Sequence, residues 1–342
     1  MYPQNLKAGL MFRKALILLT VVTLFLFNNT GQAQDPEFSQ FYANPLYLNP
    51  ALAGSKICPR LVINYRNQWP GLSKSFVTYN ASYDQYIDKI FGGVGVIVNV
   101  DNAGSGILKT TQASLMYSYH LQAGKNFYMN MAVQGTFYQK SLDWNKLQFG
   151  DQIDPQQGFV LPTGETQPDN TSVMFPDFSA GLVFGWKGIV HGGVAAHHLT
   201  QPNMAFYTQN ENKLPMKLTG HLGVNINLER GGYTEDEDMK FYLAPNVLYQ
   251  QQGEFHQLNA GLYIIRLPIV IGTWFRHNFE NADAVIALVG ISHKNLNIGY
   301  SYDITLSKLK SNTGGAHEVA LAWNFPCIEK RRKVRAIKCP DF

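Results

Sequence analysis

The chain has 342 residues, of which 45% are hydrophobic, 13% aromatic and only 15% charged, with a formal net charge of +4. A charged share far below the roughly 25% of soluble domains argues against an ordinary cytoplasmic enzyme, and the aromatic content excludes a disordered chain. A mean hydropathy of −0.15, with one short apolar stretch near the start, excludes a polytopic helical membrane protein; with 30 Gly, 21 Phe and 18 Tyr, the membrane architecture that remains is a β-barrel.

Arg13 and Lys14 precede an apolar run from Ala15 to Phe27, and Gly31-Gln32-Ala33 follows as a small-x-small cleavage signal. Residues 1–33 therefore read as a secretory signal peptide, too short to span a bilayer. Losing Lys7, Arg13 and Lys14 lowers the charge from +4 to +1. The end of the chain, from Glu329 to Phe342, sets six bases (Lys330, Arg331, Arg332, Lys333, Arg335, Lys338) against two acids and so carries +4, which leaves −3 for everything between. The basicity belongs to a leader and a tail, and nothing points to a nucleic-acid face.

Residues 34–59 form an N-terminal segment in which Asn44-Pro45 and Asn49-Pro50 punctuate Phe38, Phe41, Tyr42, Leu46, Tyr47 and Leu48. Such punctuation predicts turns rather than a long helix. Preceding the first strand, the segment is expected at the periplasmic mouth, where its aromatics either plug the lumen or dock a partner, with Phe41, Asn44, Pro45, Asn49 and Pro50 as docking candidates, or simply pack to seal the base of the barrel.

From Arg60 to Pro326 the pattern has period two, interrupted by Gly, Asn and Lys turns at intervals of about ten residues, as transmembrane β-strands require. The segments run 60–69, 75–86, 91–101, 107–121, 126–139, 178–186, 189–199, 216–228, 239–251, 255–265, 268–277, 284–292, 295–306 and 316–325, an even count of fourteen. Between Met216 and Leu228 one register is wholly apolar (Leu218, Leu222, Val224) and the other polar (Lys217, Thr219, His221). That contrast suits lipid outside and a polar lumen inside, although a soluble barrel would simply reverse the faces. With the first hairpin pointing outward, the long connections 140–177, 200–215 and 307–315 fall on one side, and the other side has tight turns with only 229–238 longer. The fold class is an all-β transmembrane antiparallel barrel of about 14 strands, with both termini periplasmic and the long loops extracellular.

Arg66 falls on the inward register of the first strand, where a lumen charge needs a carboxylate partner, and Glu318 on the inward register of the last strand is the candidate. His191, His197, His198 and His221 do not make a metal site, because adjacent His197 and His198 point to opposite faces of a strand. Gly92-Gly93-Val94-Gly95 is not followed by the Lys-Ser or Lys-Thr of a phosphate loop, and no Ser occupies a Gly-x-Ser-x-Gly elbow, so neither a cofactor nor an enzyme activity is expected. The carboxylates of Glu235 to Asp238 read as a solvated turn. Of Cys58, Cys327 and Cys339, the first two flank the ends of the barrel that closure brings together, and Cys327 with Cys339 is the rival pairing. The basic tail, 327–342, suits an acidic partner or anionic headgroups of outer-membrane lipids.

Three motifs stand in order: the doubled Asn-Pro before Ala51-Leu52-Ala53-Gly54, the strand Asn64-Tyr65-Arg66-Asn67-Gln68-Trp69-Pro70, and Gly314-Gly315-Ala316-His317-Glu318 before the last strand. With the closing Cys339-Pro340-Asp341-Phe342, this combination resembles the PorP/SprF family, outer-membrane barrels of the type IX secretion system of the Bacteroidota. The resemblance covers the whole mature chain and makes Gln68, Trp69 and His317 motif positions beside Arg66 and Glu318. It implies protein export at the outer membrane, with periplasmic type IX secretion components or a secreted surface adhesin as partners, the latter including adhesins used in gliding. The tail leans toward the SprF-like, adhesin-linked branch. An outer-membrane porin or nutrient channel is the alternative.

Overall fold

The computed structural model describes residues 34–327 apart from 57, 74, 125, 210, 229–240 and 307–312. The segment read as a leader, the acidic residues Glu235 to Asp238 expected as a solvated turn, and the tail with Lys330, Arg331, Arg332, Lys333, Arg335 and Cys339 lie outside the described residues.

Fourteen strands follow one another in the described chain. They are β1 (Arg60–Gln68), β2 (Phe76–Ile87), β3 (Gly92–Ala103), β4 (Leu108–Ala123), β5 (Phe127–Leu142), β6 (Ser172–Trp186), β7 (Val190–His197), β8 (Lys217–Val224, resumed at Ile226–Asn227), β9 (Phe241–Gln252), β10 (Phe255–Arg266), β11 (Ile269–His277), β12 (Ala282–His293), β13 (Leu296–Thr305) and β14 (Ala316–Asn324). Each pairs antiparallel with its neighbours in sequence. The ring closes where β14 meets β1, with Arg60 opposite Asn324 and Gln68 opposite Ala316. Closure gives every strand of the described barrel a hydrogen-bonded neighbour on both sides, the condition for crossing lipid with strands.

Alternation sorts the side chains. Ile63, Leu115, Val133, Phe178, Leu222 and Ile271 are exposed on the outer face, whereas Asn64, Arg66, Asn80, Ser118, Asn130 and His221 are buried on the inner one. In β8, Leu218 and Leu222 face out while Lys217, Thr219 and His221 face in. The long segment from Met216 does not run unbroken to Leu228: the strand is interrupted at Asn225, whose backbone N–H donates to the Ile189 carbonyl beyond the end of β7, 2.7 Å away. The sixth strand begins at Ser172, well before the expected 178. Its Pro176 is paired with Phe137 of β5 but has no strand partner on the other side, since β7 pairs only with Ala180–Trp186, so it holds an edge position where proline is tolerated. The connection expected at 140–177 accordingly shrinks to 143–171, and it carries a small hairpin, Ile153–Asp154 against Gly158–Phe159.

The interior is filled. Phe41, Tyr42, Leu48, Ala51 and Leu52 of the N-terminal segment form one buried cluster with Leu248, Tyr263, Trp274 and Ile286 of the wall. A second cluster joins Leu46 and Ala53 to Ile97 and Met116. A core made by an inserted segment rather than by wall residues alone follows from width, since a barrel of this strand number is too wide for its own side chains to meet at the axis.

Candidate functional site, the segment threaded through the lumen

The segment is built from short turns: a 3₁₀ turn at Phe41–Ala43, one helical turn α1 at Pro45–Leu48, and a second 3₁₀ turn at Pro50–Leu52. Pro45 and Pro50 each stand at the start of a turn, where the missing N–H costs nothing. Asn49 caps the last turn by accepting the Ala51 N–H at 2.9 Å, and its amide donates to the carbonyls of Leu182 and Val194, at 3.2 and 3.0 Å. Asn44 is fully buried and gives α1 no side-chain cap. The wall is carved to fit. A Cβ on Gly181 would lie 2.2 Å from Asn49 Oδ1, and one on Gly93 would lie 2.0 Å from the Ala53 carbonyl oxygen.

The expected position of this segment, at one mouth of the barrel beside the first strand, is corrected by its contacts. Asp35 lies at the ends of β7, β8 and β9 nearest the long loops, with its N–H on Gln252 Oε1 at 3.0 Å and its carboxylate on His198 and Lys217 at 2.8 and 3.8 Å. The chain then descends, and at the opposite rim Cys58 forms a disulfide with Cys327, Cα–Cα 5.0 Å. The segment thus traverses the lumen, and Asp35 and Cys58 sit toward opposite ends. Asn-Pro punctuation specifies turns, but not the direction in which a chain of turns travels.

Between those ends lies the charged centre. Arg66 and Glu318 face each other across the β1–β14 seam. The guanidinium reaches Glu318 Oε2 at 3.2 Å and Asp303 Oδ2 at 2.9 Å, and donates to Ser39 Oγ at 2.7 Å. Arg276 joins from β11, 3.2 Å from Asp303 and 2.9 Å from the same Ser39 hydroxyl. The Ser39 hydroxyl donates to Asp303 at 2.6 Å, while the backbone N–H groups of Ser39 and Gln40 donate to the two oxygens of Glu318 at 2.6 and 3.1 Å. Two arginines, two carboxylates and two backbone amides of the inserted segment therefore form one buried network, the arrangement in which buried charges are tolerated. Ser39, Gln40, Arg276 and Asp303 were not singled out from sequence. Arg276 and Asp303 carried a signal all the same, each being a charge on an inward register.

The other motif positions lie on the rim and not in the network. Trp69, at φ 58°, makes the first outward turn and donates its N–H to Gly315 at 2.8 Å, tying the two motifs together. Gln68 is half-buried beside it, opposite Ala316. His317 faces out, its Nδ1 2.8 Å from the Tyr300 hydroxyl.

At the upper end, His198 has Asp35 and Asp177 each 2.8 Å from a ring nitrogen. Two carboxylates on both nitrogens call for two donors, which only the imidazolium supplies. Burial opposes the charge on Asp35, but His198 and Lys217 outweigh it and hold the carboxyl below its ordinary range. The expectation that His197 and His198 point to opposite faces fails here, because β7 ends at His197 and His198 turns at φ 58°. Both side chains line the same small recess with Asp35, Tyr138 and Lys217.

A family model described as type IX secretion system membrane protein PorP/SprF matches residues 30–323. No curated protein matches the chain. Among solved structures, the chain is similar to the toluene transporter TbuX of Ralstonia pickettii, at 11% identity over 87% of this chain and 96% of that one, TM-score 0.49. It is similar as well to the toluene transporter TodX of P. putida, at 11% identity over 81% and 92%, TM-score 0.47, and to a FadL homologue of Pseudomonas aeruginosa, at 12% over 78% and 90%, TM-score 0.41. These distant likenesses say nothing of what the chain carries or binds. The family match spans nearly all of the described barrel and its inserted segment, so the chain belongs to the type IX secretion system membrane protein PorP/SprF family, an outer-membrane β-barrel component of that system.

Proposed function

We propose that the protein is a non-catalytic docking component: a sealed barrel that holds periplasmic secretion machinery at the outer membrane and serves an exported surface adhesin, including one used in gliding. In this reading the tight turns and Cys327 face the periplasm and the long loops face the cell exterior. The observation that carries it is the filled lumen. A segment fixed by the Arg66–Arg276–Asp303–Glu318 network and by Cys58–Cys327 blocks the path that a diffusive channel would need. What the barrel then offers is surface, and the sequence beyond Cys327, with Lys330, Arg331, Arg332, Lys333 and Arg335, adds basic charge on the periplasmic side for an acidic partner. Affinity purification of the tagged protein from crosslinked envelopes, with mass spectrometry, tests this. Enrichment of type IX secretion components and of a large exported adhesin is the expected result, and a preparation holding only the barrel and lipid would refute it.

A further inference from the structure

We propose that the outer wall of β4–β6 carries a binding cleft for the saccharide headgroup of a glycolipid. The strands here are long, and their outward positions form rows that can be read across three strands. Leu121, Met129 and Phe184 stand side by side, then Tyr119, Met131 and Leu182, then Tyr117, Val133 and Ala180, then Leu115, Gly135 and Phe178, then Ala113, Phe137 and Pro176. Those five apolar rows span eight residue-to-residue steps of strand, about 20 Å of height at ~3.3 Å per residue and a tilt of ~40°. The sixth row turns mixed with Thr111, Gln139 and Met174, and the seventh is polar: Lys109, Ser141 and Ser172. The lipid boundary on this wall therefore lies at Gln139.

At that line the connection 143–171 folds over the wall and leaves an open cleft of about 610 Å³, lined by Lys109, Gln139, Ser141, Trp144, Gln167 and Ser172 among others. Lys109, Gln139 and Ser172 are exposed, and they lie on the lipid-facing register, not the lumen one. Trp144 is steadied by Phe149, ring centroids 5.0 Å apart, and Lys146 by Asp143 at 3.3 Å. The chemistry of the cleft is an indole for stacking on a sugar face, amides and hydroxyls for hydroxyl groups, and the Lys109 ammonium for a phosphate or acid substituent. Placed where acyl chains end, such a lining fits a sugar that a lipid carries better than it fits acyl chains. That the sugar belongs to the cell-surface leaflet rests on the orientation given above; the cleft itself does not.

The test uses the full-length protein in nanodiscs and lipopolysaccharide, phosphatidylglycerol and free core oligosaccharide as three separate probes, with bound lipid read by native mass spectrometry. Retention of lipopolysaccharide over phosphatidylglycerol is expected, with Trp144→Ala and Lys109→Gln each weakening it about tenfold, the scale of losing one stacking or charged contact. Heat-modifiable migration confirms that each variant is folded. Equal retention of both lipids, or no change in either folded variant, overturns the proposal. Binding of the free oligosaccharide as tight as that of the lipid-borne one keeps the saccharide site and makes its source a soluble glycan. Labelling of Glu165→Cys on intact cells with an impermeant maleimide reads the orientation alone: protection overturns the cell-surface assignment while leaving the nanodisc result untouched.

Discussion

Replacing Arg66 with Ala should loosen the inserted segment from its wall. The guanidinium makes two charged contacts, to Asp303 at 2.9 Å and Glu318 at 3.2 Å, and a third bond to Ser39. At ~1.5–3 kcal/mol for each bond involving a charge, the gross loss is several kcal/mol. Part is recovered, because Arg276 stays 3.2 Å from Asp303 and Glu318 keeps the N–H groups of Ser39 and Gln40. The remaining cost is that of stranding a buried carboxylate, about 3–5 kcal/mol. In a barrel of this size the apparent melting temperature should fall on the order of 10 °C. Glu318→Gln, which keeps the shape and one acceptor, should cost less than half as much. The assay is thermal loss of heat-modifiable migration in detergent, with limited proteolysis of the 35–56 segment at a fixed temperature. Melting unchanged within error, with the segment still protected in Arg66→Ala, would refute the claim that this network holds the segment in place.

Gly181→Val should prevent Asn49 from seating, since even a Cβ falls 2.2 Å from its Oδ1, whereas Gly135→Ala, whose nearest neighbour is 3.8 Å away on the outer face, should be silent; urea midpoints of the two compared with the parent decide it. Peptide mapping without reductant should recover Cys58 joined to Cys327, and Cys58→Ser should raise proteolysis of the segment near its lower end; a free Cys58 thiol in the parent would contradict the structure. Deleting residues 329–342 should leave the barrel inserted while abolishing co-purification of periplasmic machinery, and undiminished co-purification would remove the tail from the docking surface.

Much of this was written in the sequence where periodicity governs. Period two placed Arg66 and Glu318 on inward registers of the two strands that close the ring, so their meeting followed from closure alone. Arg276 and Asp303 obey the same alternation. They stayed invisible because their meeting crosses β12, and nothing in a linear pattern says which lumen charges of non-adjacent strands meet. Ser39 was missed for a related reason: its partners lie 264 and 279 residues away, and its own neighbourhood shows only turns. The start of β6 at Ser172 was not legible because residues 172–179 pair with β5 alone, an edge position where Pro176 is tolerated. The path of residues 35–58 was the least legible feature, because irregular segments take direction from the cavity they enter.

The most direct measurement is the conductance of the purified full-length protein in planar bilayers, alongside a variant lacking residues 35–56. A sealed docking barrel predicts no steady current from the parent and large open-pore steps from the deletion variant; steady ohmic current through the parent would contradict it.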